Sequence, residues 1–217
     1  MTAFSTVHSV SASPGPAPGM SRPLILLAGW FFVAVGLGLS GALGWPNGLA
    51  IGLALAIGLP LLAYAFDRRL GRPLFGDFAR LDLPVLAALQ TFRIGGVFFL
   101  VAWAQGTLPA GFALPAGLGD IAVGLAAPFV ATALARRRPG APFWARVWNL
   151  VGLVDLVVAV LAGVTHTRSP LGIFATTPGS DALGRYPFSL IPSFFVPLAM
   201  ILHFLSLRAL RAARPAR

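Results

Sequence analysis

Six polar side chains are set inside otherwise apolar stretches of this 217-residue chain: Gln90, Arg93, Asp120, Asn149, Asp155 and His203. They define the chemistry that is available. The sequence contains no Cys, Lys or Glu, which excludes disulfides, thiolate metal sites, a lysine Schiff base and a Walker-type phosphate loop. Acid–base work falls to Asp, His and Tyr. Ser193 and His203 are ten residues apart, about 15 Å along one helix, too far for a nucleophile and its base. Without Glu no His-Glu zinc motif can exist, and no paired-Asp motif of metal-dependent phosphate chemistry occurs. No catalytic set is identified. An ionisable group within a membrane span faces a bundle interior or a wet cavity and is a functional candidate by default. The six side chains are therefore read as a candidate binding set for an anion, a proton or a small polar solute.

Depth suggests how they pair. At about 1.5 Å per residue, Arg93 lies about 15 Å, and Asp155 about 18 Å, from the same end of their respective spans. Asn149 and His203 fall in the cytoplasmic third. Asp120 is placed near the outer surface, just after the Pro/Gly-rich "LPAGLG", and is expected to face an outward vestibule roofed partly by residues 166–187. Arginine keeps its charge when desolvated, so Arg93 must find acceptors. Asp155 and Gln90 are the first candidates, with Asp120 or a bound anion as the alternative. Such a pair either fixes helix packing or lines a site, and the two roles are compatible. Three stripes carry the set: Gln90, Arg93 and Gly96; Gly117, Asp120 and Gly124; Trp148, Gly152 and Asp155. Small residues on such stripes let helix backbones approach closely.

His203 is the only histidine inside a span, and His166 lies near the opposite face. A haem would need another axial ligand, or one His203 from each subunit of a dimer. The cofactor content is left open, and a homo-oligomer is compatible with this reading.

The elements that position these residues follow from composition. The chain is 57% hydrophobic and 10% charged, with mean hydropathy +0.84, too apolar for the skin of a soluble domain of this size. The apolar residues fall in blocks of about 20, the length that crosses a bilayer core. The expected fold is all-α, a polytopic membrane protein with six transmembrane helices at about 24–43, 48–66, 83–104, 116–135, 143–165 and 188–207. Residues 1–21 read as a disordered tail, 22–210 as the membrane domain and 211–217 as a basic tail. Spans 3 and 5 resemble each other faintly, a match that shared apolar composition explains.

Net charge is +10. The arginines cluster at the edges of spans rather than on one soluble face, so topology accounts for them and nucleic acid is not expected as a partner. With six crossings, 13 of the 16 arginines fall on one side, Arg168 and Arg185 fall on the other, and Arg93 is within a span. The positive-inside rule then puts both termini in the cytoplasm, and an inner-membrane protein is expected. The expected function is binding and transport of a small solute or ion through a polar path centred on Arg93 and Asp155. Two alternatives are kept: a haem- or quinone-binding redox protein, and a non-catalytic scaffold or sensor whose polar residues only specify packing.

Overall fold

The computed structural model describes residues 21–44, 54–55, 58–59, 62 and 81–212. Every regular element among them is helical. Helix α1 spans Ser21–Leu39, α2 Leu83–Ala104, α3 Ala110–Ala135, α4 Ala141–Thr165 and α5 Ile191–Ala212. The last four are long and apolar enough to cross a membrane. Of the expected span at 48–66 only residues 54–55, 58–59 and 62 are described, and they are helical; its other residues, most of the N-terminal tail and residues 213–217 lie outside the described residues.

Proline and glycine set the ends of the helices. Pro109 caps α3, while Pro84 and Pro142 occupy the first turns of α2 and α4, where a missing N–H costs nothing. The short connection between α3 and α4 turns through Gly140, whose φ of 77° favours a residue without a Cβ. Short connections make α2, α3 and α4 antiparallel neighbours. Helix α3 packs on α2 and α4, and α5 closes the ring by packing on the same two. Arg146 of α4 donates from Nη2 to the Leu210 carbonyl near the end of α5 (2.8 Å), so the start of α4 and the end of α5 lie at one end of the ring.

Solvent preference is inverted relative to a soluble bundle. Gln90, Arg93, Asn149, His203 and Ser206 are buried, whereas Phe129 and Phe98 are 76% and 69% exposed. Large apolar residues such as Leu150, Val154, Val157 and Leu161 lie along the outside of α4. Water would penalise that arrangement and lipid favours it. Together with the four long apolar helices, this identifies a helical membrane protein.

Two helices depart from α geometry inside the ring. Helix α2 is α-helical over Leu83–Leu89 and Val97–Ala104 but tightens to a 3-10 helix over Gln90–Gly96. With three residues per turn, positions spaced by three eclipse. Gln90, Arg93 and Gly96 therefore line up on one edge, and they are the three buried residues of that segment. Helix α5 begins with a π-helical turn, Ile191–Phe195. Pro197 has no N–H to offer the carbonyl four residues earlier. The Trp30 indole of α1 donates to that carbonyl, Ser193 O, at 3.0 Å. Trp30 and Phe31 also pack edge-on against Phe194, at 5.0 and 5.2 Å between ring centroids. Helix α1 thus joins the outside of the ring.

Helix α3 begins at Ala110 rather than near 116. Pro115 lies in its second turn and Pro128 further along, and neither ends the helix. This earlier start changes the depth of Asp120. The connection between α4 and α5 contains a 3-10 turn, Ser180–Gly184.

Candidate functional site

Arg93 projects from the 3-10 turn into the middle of the ring, with its side chain 1% exposed. Its Nε donates to Asp120 Oδ1 of α3 at 2.6 Å, and its Nη2 donates to Asp155 Oδ2 of α4. Nη1 donates to the Gly152 carbonyl of α4 at 3.2 Å and lies 3.1 Å from His203 Nε2 of α5. One guanidinium therefore ties α2 to all three other helices of the ring, using four of its five N–H groups.

The tautomer of His203 follows from its neighbours. Asn149 Nδ2 donates to the Ala145 carbonyl at 2.6 Å, which can only accept, and to Ser206 Oγ at 3.0 Å. That fixes the amide with Oδ1 toward His203 Nδ1, 2.9 Å away. An amide oxygen can only accept, so Nδ1 carries the proton and Nε2 presents its lone pair to Arg93. The chain of bonds from Ala145 through Asn149 and His203 to Arg93 is consistent in donors and acceptors. Trp148 packs edge-on to His203, with ring centroids 5.3 Å apart, and its Nε1 donates to the Val123 carbonyl at 3.2 Å.

Glycine beside each polar group brings the backbones this close. A Cβ on Gly96 would meet Asp120 Cβ at 2.6 Å and Gly117 O at 2.8 Å. One on Gly124 would lie 2.6 Å from Ile94 N and 3.0 Å from Arg93 C. A Cβ on Gly119 would strike the Asp155 carboxylate, and one on Gly152 would strike the His203 ring. All three stripes read from the sequence thus face the centre.

Two expectations are corrected. Asp120 is not near the outer surface. With α3 starting at Ala110, it lies about 15 Å along the helix, level with Arg93, and it is a direct partner of that residue. The segment "LPAGLG" before it is helical. Gln90 is not an acceptor for Arg93: its Nε2 donates to the Ala199 carbonyl of α5 at 2.9 Å, and its Oε1 is buried without a hydrogen-bond partner. It lies in the same third of the span as Arg93, but one 3-10 turn nearer the start of α2, facing α5. Asp155 is the partner expected from depth, and Asn149 and His203 meet each other and join the same centre.

Ser206, Gly119 and the Gly152 carbonyl were not singled out as partners. Ser206 follows His203 by three residues, and Ala199, His203, Ser206 and Leu210 form one buried stripe. That helical spacing is the signal that points to Ser206.

Apolar layers close the centre from both ends. Phe99, Ala102, Leu108, Phe112, Ala113 and Ala116 form a cluster on the side of the α2–α3 connection. Ala87, Val123, Ala127, Ala131 and Trp148 form another on the opposite side. Between them the two carboxylates keep some accessibility, with side-chain exposures of 19% for Asp120 and 12% for Asp155. Both ring nitrogens of His203 are engaged, so this arrangement leaves no lone pair for an axial bond to iron. No group of three or more His, Cys, Asp or Glu that could hold a metal ion occurs among the described residues.

The chain belongs to the family described as Domain of unknown function (DUF8737), whose model matches residues 50–211. No curated protein and no solved structure matches it. The family match covers all four helices of the ring up to the last turn of α5, and so includes every residue of the polar centre.

Proposed function

We propose that the chain is a multi-pass inner-membrane protein with six spans and cytoplasmic termini, which binds and transports a small solute or ion through the polar centre around Arg93. Gln90, Arg93, Asp120, Asn149, Asp155 and His203 would form or border the path. One observation carries the reading: a single buried guanidinium bonds to α3, α4 and α5 together, and both its carboxylate partners remain partly accessible. A solute that competes for Arg93, or an ion that competes for either Asp, changes which helices the guanidinium holds. Binding is thereby linked to helix packing, the link that alternating access requires. A purely structural ion pair needs one acid, and this centre has two.

The topology supporting this reading is read from charge. Arg136, Arg137, Arg138 and Arg146 flank the α3–α4 turn, and Arg208 and Arg211 end α5, at the same end of the ring. Arg168 and Arg185 lie in the α4–α5 connection, at the other end. Reporter fusions after Leu43, Arg69, Gly106, Arg138, Asp181 and Arg217 test it, with the expected order outside, inside, outside, inside, outside, inside. An external C-terminus or a seventh span would overturn it. For transport, proteoliposomes are challenged in turn with sodium chloride, inorganic phosphate, small carboxylates and amino acids while solute and pH changes are recorded. The expected result is protein-dependent flux of at least one probe, lost in the folded triple variant Arg93→Leu, Asp120→Asn, Asp155→Asn, which has no ionisable group left at these three positions. Flux unchanged by that substitution would favour the scaffold or sensor reading.

A further inference from the structure

The charges around Arg93 do not balance. Helix α2 contributes one cation, Arg93, while α3 and α4 contribute one carboxylate each, Asp120 and Asp155. Helix α5 contributes His203, neutral in the tautomer that Asn149 imposes. No other charged side chain of the ring lies at this level; the remaining described charges are at its two ends or in the connections. With both acids ionised the centre would hold one uncompensated negative charge between apolar layers, which a bilayer interior strongly disfavours. With both acids protonated, Arg93 would be left without a counter-charge, and it does not lose its own proton. Only the state with one proton is neutral.

We infer that Asp120 and Asp155 together hold one exchangeable proton, and that the proton is the ion of the transport path. This inference rests on the reading of the centre as that path. The free oxygens provide the place for it. Asp120 gives Oδ1 and Asp155 gives Oδ2 to Arg93, and neither Asp120 Oδ2 nor Asp155 Oδ1 has a hydrogen bond to the described residues. The step is simple: a carboxylate oxygen lone pair takes H⁺ to form the O–H bond of a carboxylic acid, and the reverse releases it. A metal cation fits less well, because it needs several oxygens at once, and no ligand group of three or more is present among the described residues. Protonating one acid leaves the other as the sole anionic partner of Arg93, so the position of the proton selects whether α2 is held electrostatically to α3 or to α4.

The test uses the full chain, purified and reconstituted in phosphatidylethanolamine–phosphatidylglycerol vesicles, with its aspartates labelled with ¹³C at the carboxyl carbon. Infrared spectra are recorded in H₂O and D₂O at increasing pH. At neutral pH the expected spectrum contains the C=O band of one protonated aspartic acid, moved by ¹³C and by D₂O and lost as the pH is raised. The band should disappear in both Asp120→Asn and Asp155→Asn, because each substitution leaves one acid opposite one arginine. If either variant fails to fold, the labelled wild-type titration decides alone. Absence of the band at neutral pH, or its survival in both folded variants, overturns the inference. Absence of the band together with a melting temperature raised by sodium chloride but not by choline chloride overturns it in favour of a metal cation. The spectrum needs no transported solute. A proton band without flux would remove the transport reading alone, and flux without the band would remove this inference alone.

Discussion

Replacing Arg93 by leucine removes the one group that all three neighbouring helices share. Asp120 and Asp155 both lose their donor and the cation that balances their charge, and the Gly152 carbonyl and His203 Nε2 lose a donor. Breaking a buried pair by deleting one partner costs about 3–5 kcal/mol, mainly through the charge left behind. Two acids are stranded here, but each keeps some exposure and can neutralise by taking a proton, so the expected loss stays at about 3–5 kcal/mol rather than doubling. The double variant Arg93→Leu with Asp155→Leu still leaves Asp120 alone and should recover only part of the loss. The triple variant Arg93→Leu, Asp120→Asn, Asp155→Asn has no stranded charge and should recover most of it, since neutral replacement of a buried ion group is often close to neutral in stability. Reversible unfolding in mixed micelles, followed by tryptophan fluorescence and circular dichroism, measures all three. A single variant within about 1 kcal/mol of wild type would refute the reasoning, since a buried cation that neutralises an anionic partner cannot be that cheap to delete. A double variant as stable as the triple would show that Asp120 is not a partner.

Other expectations follow from the close contacts. Gly96→Ala places a Cβ against Asp120 and Gly117 and should cost about 1–3 kcal/mol. Its neighbour Gly95 meets only Phe98, at 3.9 Å, so Gly95→Ala should be tolerated, and equal losses at both positions in the same unfolding assay would contradict this. Asn149→Leu deprives His203 Nδ1 of its acceptor; ¹⁵N NMR of labelled histidine should then show the ring leaving its single Nδ1–H tautomer, with a stability loss of about 1–3 kcal/mol. An unchanged spectrum would remove Asn149 as the residue that orients the ring. Trp30→Phe deletes the donor to Ser193 O and should cost about 0.5–1.5 kcal/mol. No change on unfolding would mean that water or another donor serves that carbonyl.

The pairing of Arg93 with Asp155 was legible because depth along a helix is a count of residues, and both sit in spans whose ends are marked by Arg, Pro and Gly. Asp120 was misplaced for the same reason. Pro115 and the glycines around it look like a loop, yet proline and glycine are tolerated inside transmembrane helices, and Pro109 supplies the actual cap. Six residues of extra helix moved Asp120 from the mouth to the middle. The 3-10 turn at Gln90–Gly96 leaves no mark in hydropathy, because α and 3-10 helices of the same composition look alike at that scale. Its trace is the spacing of Gln90, Arg93 and Gly96, which matches the 3-10 repeat more closely than the α repeat. Gln90 shows where depth counting stops. It gives a level in the membrane, but which neighbouring helix a side chain meets depends on the order of helices around the ring, and the sequence does not state that order.

The central claim is that one guanidinium in the middle of the membrane is held by two aspartate side chains. Magic-angle-spinning NMR in bilayers, measuring dipolar coupling between guanidinium ¹⁵N and aspartate carboxyl ¹³C, tests it most directly. Asp120→Asn and Asp155→Asn serve to assign the signals, and Arg168→Gln removes the pair that Arg168 forms with Asp181 in the α4–α5 connection. The expected result is one arginine coupled at hydrogen-bond distance to two different aspartates, with one coupling lost in each Asn variant. An Arg93 coupled to a single aspartate, or to neither, would contradict the account.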